Sequence, residues 1–260
     1  NPNIRWEIED KRNIGIDVGL FDNSLVIHAD YFNNLRKDIL IQRNTVSDVS
    51  GLIENPFQNY GRVANHGFDA SLNVSEKIGK FEIGAIGTYT FARNKILEMD
   101  EVPRAHEYQQ MTGARIGQVD AWIAERLYTD NDFDIVTDPA TGVNTYTLKK
   151  GIPVSKYGAV YPGNIKYKDM NDDGVIDEYD WVRTPEGTYP RRPEITYGFG
   201  LSFGYGGLYV SSFFQGVANV SVYLAPGEML PFLGSQPLTT SVKDFALDRW
   251  TSENPRQDVV

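Results

Sequence analysis

Cysteine is absent from this 260-residue chain. That excludes thiolate zinc sites, iron–sulfur clusters and a disulfide scaffold. Histidine is scarce, with three residues (His28, His66 and His106), none in an i, i+4 ligand pair and none beside a GxSxG element. Neither a catalytic constellation nor a glycosidase-type carboxylate pair stands out by spacing, so no enzyme is expected. Positive charge is in deficit: 25 Lys and Arg face 35 Asp and Glu, a formal net charge of −10. A nucleic-acid partner is therefore not expected, because phosphate neutralisation needs a basic surface. No run approaches the ~18 apolar residues of a membrane-spanning helix, and the opening Asn-Pro-Asn-Ile-Arg-Trp lacks the basic and apolar regions of a signal peptide.

Aromatics and alternation are what the chain has instead. Fifteen Tyr, 13 Phe and 4 Trp make up 12% of the residues. Ile14, Ile16, Val18 and Leu20 alternate with Asn13, Gly15, Asp17 and Gly19. The same period of two runs through Leu25–Tyr31, Phe68–Val74, Phe81–Phe91 and Ile195–Tyr205, and less regularly through Leu208–Phe214. Such alternation specifies strands with one apolar and one polar face, and no helical spacing fits these segments. Two-residue or similarly short turns are expected at Asp22-Asn23, Glu76-Lys77-Ile78-Gly79 and Gly206-Gly207. The other connections, about 44–58 and about 97–190, are long. Short and long connections alternate as in a transmembrane β-barrel, with short periplasmic turns and long extracellular loops. Six strands do not close such a barrel. The expected fold is all-β: residues 1–260 form an internal fragment of a large antiparallel transmembrane β-barrel, and 97–190 form a long extracellular loop region.

On this reading Ile14, Ile16, Leu25, Ile27, Leu72, Ile83, Phe91, Phe199, Leu201 and Phe203 face outer-membrane lipid. Asp17, His28, Asp30, Asp69, Glu82, Thr196 and Ser202 face the lumen. A secreted soluble all-β glycan-binding or adhesion module is the alternative, and it would bury the apolar row in a sandwich core.

The most specific local chemistry lies at 169–180. Calcium loops of the EF-hand type place oxygen ligands at positions 1, 3, 5, 7, 9 and 12, with Gly at 6. Those positions hold Asp169, Asn171, Asp173, Val175 (through its carbonyl), Asp177 and Asp180, with Gly174 at the turn. The expected cofactor is a structural Ca2+. An acidic turn held by its own hydrogen bonds is the competing reading. Trp122, Tyr128, Tyr146 and Tyr157 are expected either to anchor a partner or to form the loop's own small core.

Several ordered motifs resemble one family. Asn1-Pro2-Asn3-Ile4-Arg5-Trp6-Glu7 with Asn13-Ile14-Gly15-Ile16-Asp17, Asp30-Tyr31-Phe32-Asn33 with Lys37-Asp38, and Asn59-Tyr60-Gly61 through Asn65-His66-Gly67 are three of them. Asn164-Ile165-Lys166-Tyr167-Lys168-Asp169 leading into the acidic loop, Phe213-Phe214-Gln215-Gly216, and Asp248-Arg249-Trp250 through Pro255 follow in order. Together they resemble the C-terminal barrel region of SusC/RagA-type TonB-dependent transporters of the bacterial outer membrane. The resemblance implies import of oligomeric nutrients, glycans or peptides. It also implies a SusD-like surface lipoprotein as partner, and energy from TonB through segments this chain does not contain.

Overall fold

A computed structural model describes residues 3–183, 189–224 and 244–257. Two compact units emerge: residues 1–119 with 183–221, and residues 120–182 with 222–260.

The first unit is one antiparallel sheet. Its strands are β1 (Ile8–Leu20), β2 (Leu25–Gln42), β3 (Phe57–Ile78), β4 (Phe81–Glu98), β11 (Ile195–Tyr205) and β12 (Leu208–Ala218). They lie in the order β1-β2-β3-β4-β11-β12, so every hydrogen-bonded neighbour is the next of these strands along the chain. Three tight turns close one edge of the sheet, pairing Leu20 with Leu25, Ile78 with Phe81 and Tyr205 with Leu208. Their conformations need left-handed backbone. Gly206 and Gly207 have φ of 57° and 95°, and Asp22 and Asn23 have φ of 52° and 66°. The expected turn at 76–79 is shifted: β3 runs on to Ile78, and Gly79 (φ 63°) makes the turn with Lys80.

Register carries the apolar face across all six strands. Ile16 pairs with Ala29, Ile27 with Leu72, and Phe68 with Phe91. Phe91 pairs in turn with Ile195, and Phe199 with Phe214. The polar face is equally continuous, from Asp17 opposite His28, through Asp30 opposite Asp69, to Thr90 opposite Thr196. None of the apolar residues on this face belongs to a protein core. Ile14 is 75% exposed and Leu201 63%. A soluble sandwich would bury this row, and here it lies exposed.

Aromatic rings collect at both margins of the apolar face. Phe81 lies 4.6 Å from Tyr205 near the turns, and Phe68 stacks on Tyr89 at 5.2 Å near the other margin. Between them runs the 11-residue span of β11. Tilted strands of ~9–11 residues cross a hydrocarbon layer. β2, β3 and β4 extend well beyond that span, to 18, 22 and 18 residues, on the side of the long connections.

The second unit is built from short strands: β5 (Ala124–Leu127) with β9 (Ile165–Tyr167), β6 (Phe133–Thr137) with β7 (Asn144–Leu148), and β8 (Val154–Ser155) with β10 (Val175–Ile176). It buries a conventional core of Leu127, Tyr128, Phe133, Ile176 and Val182. The self-contained part of the connection is thus narrower than 97–190, because residues up to 119 and from 183 belong with the sheet.

Candidate functional site

Chemistry concentrates in two places, the polar face of the sheet and the 120–182 region. On the sheet, His28 Nδ1 meets Asp17 Oδ1 at 2.5 Å. Ser71 stands opposite His28 on β3. Small residues keep this face open to close approach. At Gly67 a Cβ would stand 1.9 Å from the Phe91 carbonyl oxygen and 2.7 Å from the Phe32 ring. Only glycine fits there.

In the second unit, a bidentate ion pair fixes the first turn of the fold. Arg126 donates to both carboxylate oxygens of Asp132, at 2.7 and 2.6 Å, and the Thr129 amide donates to the same carboxylate at 2.8 Å. These donors, the Arg126 guanidinium foremost, lower the Asp132 pKa to about 2. Tyr128, 2% exposed, packs 5.6 Å from Phe133, and burial raises its phenol pKa.

The acidic loop folds as a chain of turns around its own amides. Asp169 accepts from the Gly174 amide at 2.8 Å, Asp173 from Val175 at 2.8 Å, and Asn171 Nδ2 donates to Asp173 at 2.9 Å. Asp172 (φ 57°) and Gly174 (φ 84°) supply the left-handed turns. Asp169, Asn171 and Asp173 therefore share one turn, with Val175 directly after it. Asp177 and Asp180 are otherwise engaged. Asp180, fully buried, accepts from the Met170 and Asp177 amides at 2.8 and 2.7 Å. Asp177 accepts from the Tyr179 amide at 2.8 Å and faces Lys156 Nζ at 3.5 Å. Lys156 also pairs with Glu178 at 2.7 Å, which lowers the Glu178 pKa and raises that of Lys156. Among the described residues, no three His, Asp or Glu side chains converge as a metal group requires. The donor chemistry is that of a hard cation, and the arrangement present satisfies itself with amides and Lys156.

Beside this loop lies an aromatic cleft of about 300 Å3, lined by Trp122, Tyr128, Tyr157, Tyr167, Ile165 and Ile176 among others. The Trp122 indole donates to the Asp177 carbonyl at 3.0 Å, tying the cleft wall to the acidic loop. The four aromatics expected in this region differ in burial. Tyr128 is core, and Tyr146 joins it through Phe133 (5.8 Å). Trp122 and Tyr157 are exposed and meet edge-on at 5.9 Å. Lys156 escaped the sequence reading, since it sits at no diagnostic spacing, and Tyr167 entered it only as part of a motif, with no role in the cleft. The tail motif also gains a role: Trp250 packs on Gly163 (φ 88°), where any Cβ would stand 2.6 Å from the indole ring.

Comparison with known proteins places these observations. The family profile described as TonB dependent receptor-like, beta-barrel matches residues 1–235. TonB-dependent receptor P26 and TonB-dependent receptor P3 of Formosa agariphila are each 27% identical over the whole chain. The chain spans about a quarter of the length of these relatives (25% and 24%). Among solved structures, the RagAB peptide importer in its closed-closed and open-open states superposes over the whole chain. TM-scores are 0.63 and 0.65 at 18% identity, covering 26% of that chain. The fold shared with RagAB, the exposed apolar face and the matched profile converge: the chain belongs to the TonB-dependent receptor-like β-barrel family and forms part of its barrel.

Proposed function

We propose that this chain is a barrel segment of an outer-membrane importer that takes up oligomeric nutrients, glycans or peptides, with TonB supplying energy and a SusD-like lipoprotein as surface partner. The observation that carries the reading is the uninterrupted apolar face across six paired strands. A sheet with that face outward is stable where lipid, not water, covers it. The tight turns then lie on the periplasmic side, and the 120–182 unit lies outside the cell with its aromatic cleft and acidic loop. Uptake of fluorescent oligosaccharide and oligopeptide mixtures tests this in cells with the intact protein, without it, and with TonB inactivated. Saturable uptake of one class, abolished in both deletion strains, supports the reading. Equal uptake in all three strains overturns it.

We infer further that the acidic loop takes a structural Ca2+ through Asp169, Asn171, Asp173 and the Val175 carbonyl, with Asp177 and Asp180 completing the set. The spacing of oxygen donors and the shared turn support this reading. Completion requires Asp177 to exchange Lys156 for the ion. Calcium would pin the loop rather than serve catalysis. Addition of Ca2+ should reduce protease cleavage within 120–182 and chelation should restore it, with Asp173→Ala removing the response. Identical cleavage with calcium and with chelator would show that the loop is an acidic turn only.

A further inference from the structure

Alternation puts one aromatic ring on the face opposite the apolar band. Asn13 pairs with Phe32, Phe32 with Gly67, and Gly67 with Ala92. The Phe32 ring lies across Gly67, where a Cβ would come within 2.7 Å of its tip. Two residues further toward the long connections, on the same face, comes a row of amides: Asn34 opposite Asn65, and Asn65 opposite Asn94. These three asparagines are employed differently. Asn94 accepts from the Ile116 amide at 2.6 Å and so ties down the connection after β4. The half-buried Asn34 and Asn65 side chains make no hydrogen bond among the described residues, and neither does that of Asn13. Asparagines stacked across strands for stability alone would bond to one another, and these do not.

On the other side of the ring, still on this face, Asp30 stands directly opposite Asp69. Like charges so placed repel each other. Neither carboxylate has an ion-pair partner among the described residues. His28, two residues from Asp30 on β2, is engaged with Asp17 at 2.5 Å. The Asp30 carboxylate leans over Gly15, where a Cβ would stand 2.4 Å from its Oδ1. One aromatic ring is therefore bordered by three uncommitted amides and two uncommitted carboxylates, all on β1, β2 and β3. Half-buried polar groups left without partners carry a cost that a hydrogen-bonding ligand removes.

We propose that Phe32, Asn13, Asn34 and Asn65, with Asp30 and Asp69 as acceptors, form a subsite for an uncharged pyranose unit of an oligosaccharide. The inference rests on the importer reading above and narrows its cargo from glycans or peptides to neutral glycan. On that reading this face lines the lumen, and the subsite lies toward the long connections. A pyranose carries C–H groups on its flat face and hydroxyls around its edge. The Phe32 ring offers an apolar surface for the face. Each carboxamide offers two N–H donors and a carbonyl acceptor, so it meets a hydroxyl in either role, and each carboxylate accepts. Neighbouring strands set Asn34 and Asn65 about 5 Å apart, within reach of the hydroxyls of one sugar ring. A sulfated or uronic glycan would instead meet two unpaired carboxylates, which repel it.

The test uses the intact protein purified in detergent micelles. It is titrated calorimetrically with neutral hexasaccharides of glucose, mannose, galactose and xylose, with a sulfated hexasaccharide, and with a tryptic peptide digest. Native protein should bind at least one neutral sugar saturably. Asn34→Ala with Asn65→Ala should weaken that binding by about tenfold or more. Phe32→Leu, which keeps an apolar side chain over Gly67, should weaken it by a similar factor. Asn33→Ala, on the opposite face, should leave it unchanged. Heat-modifiable gel migration certifies that each variant is folded. No binding across the neutral panel, or unchanged affinity of the folded double variant, overturns the subsite. A sulfated sugar bound as tightly as the best neutral one overturns the uncharged assignment, and binding of peptides alone overturns the glycan assignment. In each of these cases TonB-dependent uptake by cells preserves the importer reading. Equal uptake with and without functional TonB overturns the importer reading itself, and the subsite with it.

Discussion

The two units bury their apolar side chains in opposite directions. The 120–182 region hides Tyr128, Phe133, Ile176 and Val182 and leaves Asp134, Asp138 and Asp173 in water. The six-stranded sheet exposes Ile14, Ile16, Phe199 and Leu201, and the buried apolar residues of its unit, Ile96 on β4 and Ala114 in the connection after it, lie beyond the apolar band. Both follow from one rule: apolar surface leaves water. A 63-residue stretch such as 120–182 can satisfy it only by folding on itself. A sheet edge-paired into a barrel satisfies it with lipid. The difference therefore reports the solvent on each side of the chain, and it can be broken experimentally at either end.

The largest effect is expected in the water-facing unit. Phe133→Ala removes a ring that touches Tyr128 and Tyr146 and leaves a cavity. The cost should be about 3–5 kcal/mol, read as loss of protease resistance within 120–182 with the barrel still folded. Next comes the lipid face. Leu201→Arg, midway along β11, should cost about 2–4 kcal/mol in a bilayer. Its chain neighbour Ser202→Arg should cost less than about 1 kcal/mol, because it points to the opposite face. Urea unfolding in liposomes measures both, and equal costs would erase the distinction between faces.

A smaller effect concerns pH. The Asp132 pKa is about 2 in the folded protein against an ordinary 3.8. A lowered carboxylate pKa stabilises above its unfolded value and loses that contribution as pH falls through the folded one. The second unit should therefore lose roughly 1–2 kcal/mol between pH 4 and pH 2, after allowance for the partly exposed Arg126. Near-ultraviolet circular dichroism follows the transition, and Asp132→Asn should flatten that part of it. Similar in size is the effect of Gly163→Ala. It strains a φ of 88° and displaces the Trp250 ring, at about 1–2 kcal/mol, detectable as earlier proteolysis of the tail.

How much was legible in the sequence follows the same division. Period-two alternation located every strand of the sheet, and the paired faces emerge as read from Ile14 to Phe203. The strands' far ends were not legible. Past Tyr31 the run Phe32-Asn33-Asn34-Leu35-Arg36-Lys37 loses its alternation, because both faces there leave the apolar band. The same holds for Phe57–His66 and Ala92–Glu98. In the second unit the strands are two to five residues long, too short for a period to register. The acidic loop was visible as a donor set. Its internal bonding was not, because Asp180 is held by the Met170 amide and Asp177 faces a lysine 21 residues away.

The face assignment is the centre of this account, and the absence of cysteine from the chain makes it directly measurable. Leu201→Cys and Ser202→Cys, each carrying a nitroxide in bilayer-reconstituted protein, place one probe on each face. The account predicts that the spin at 201 is relaxed by oxygen dissolved in the lipid and shielded from a water-soluble nickel chelate, and that the spin at 202 shows the reverse. Nickel access at 201 with oxygen access at 202, or identical access at both, would contradict it.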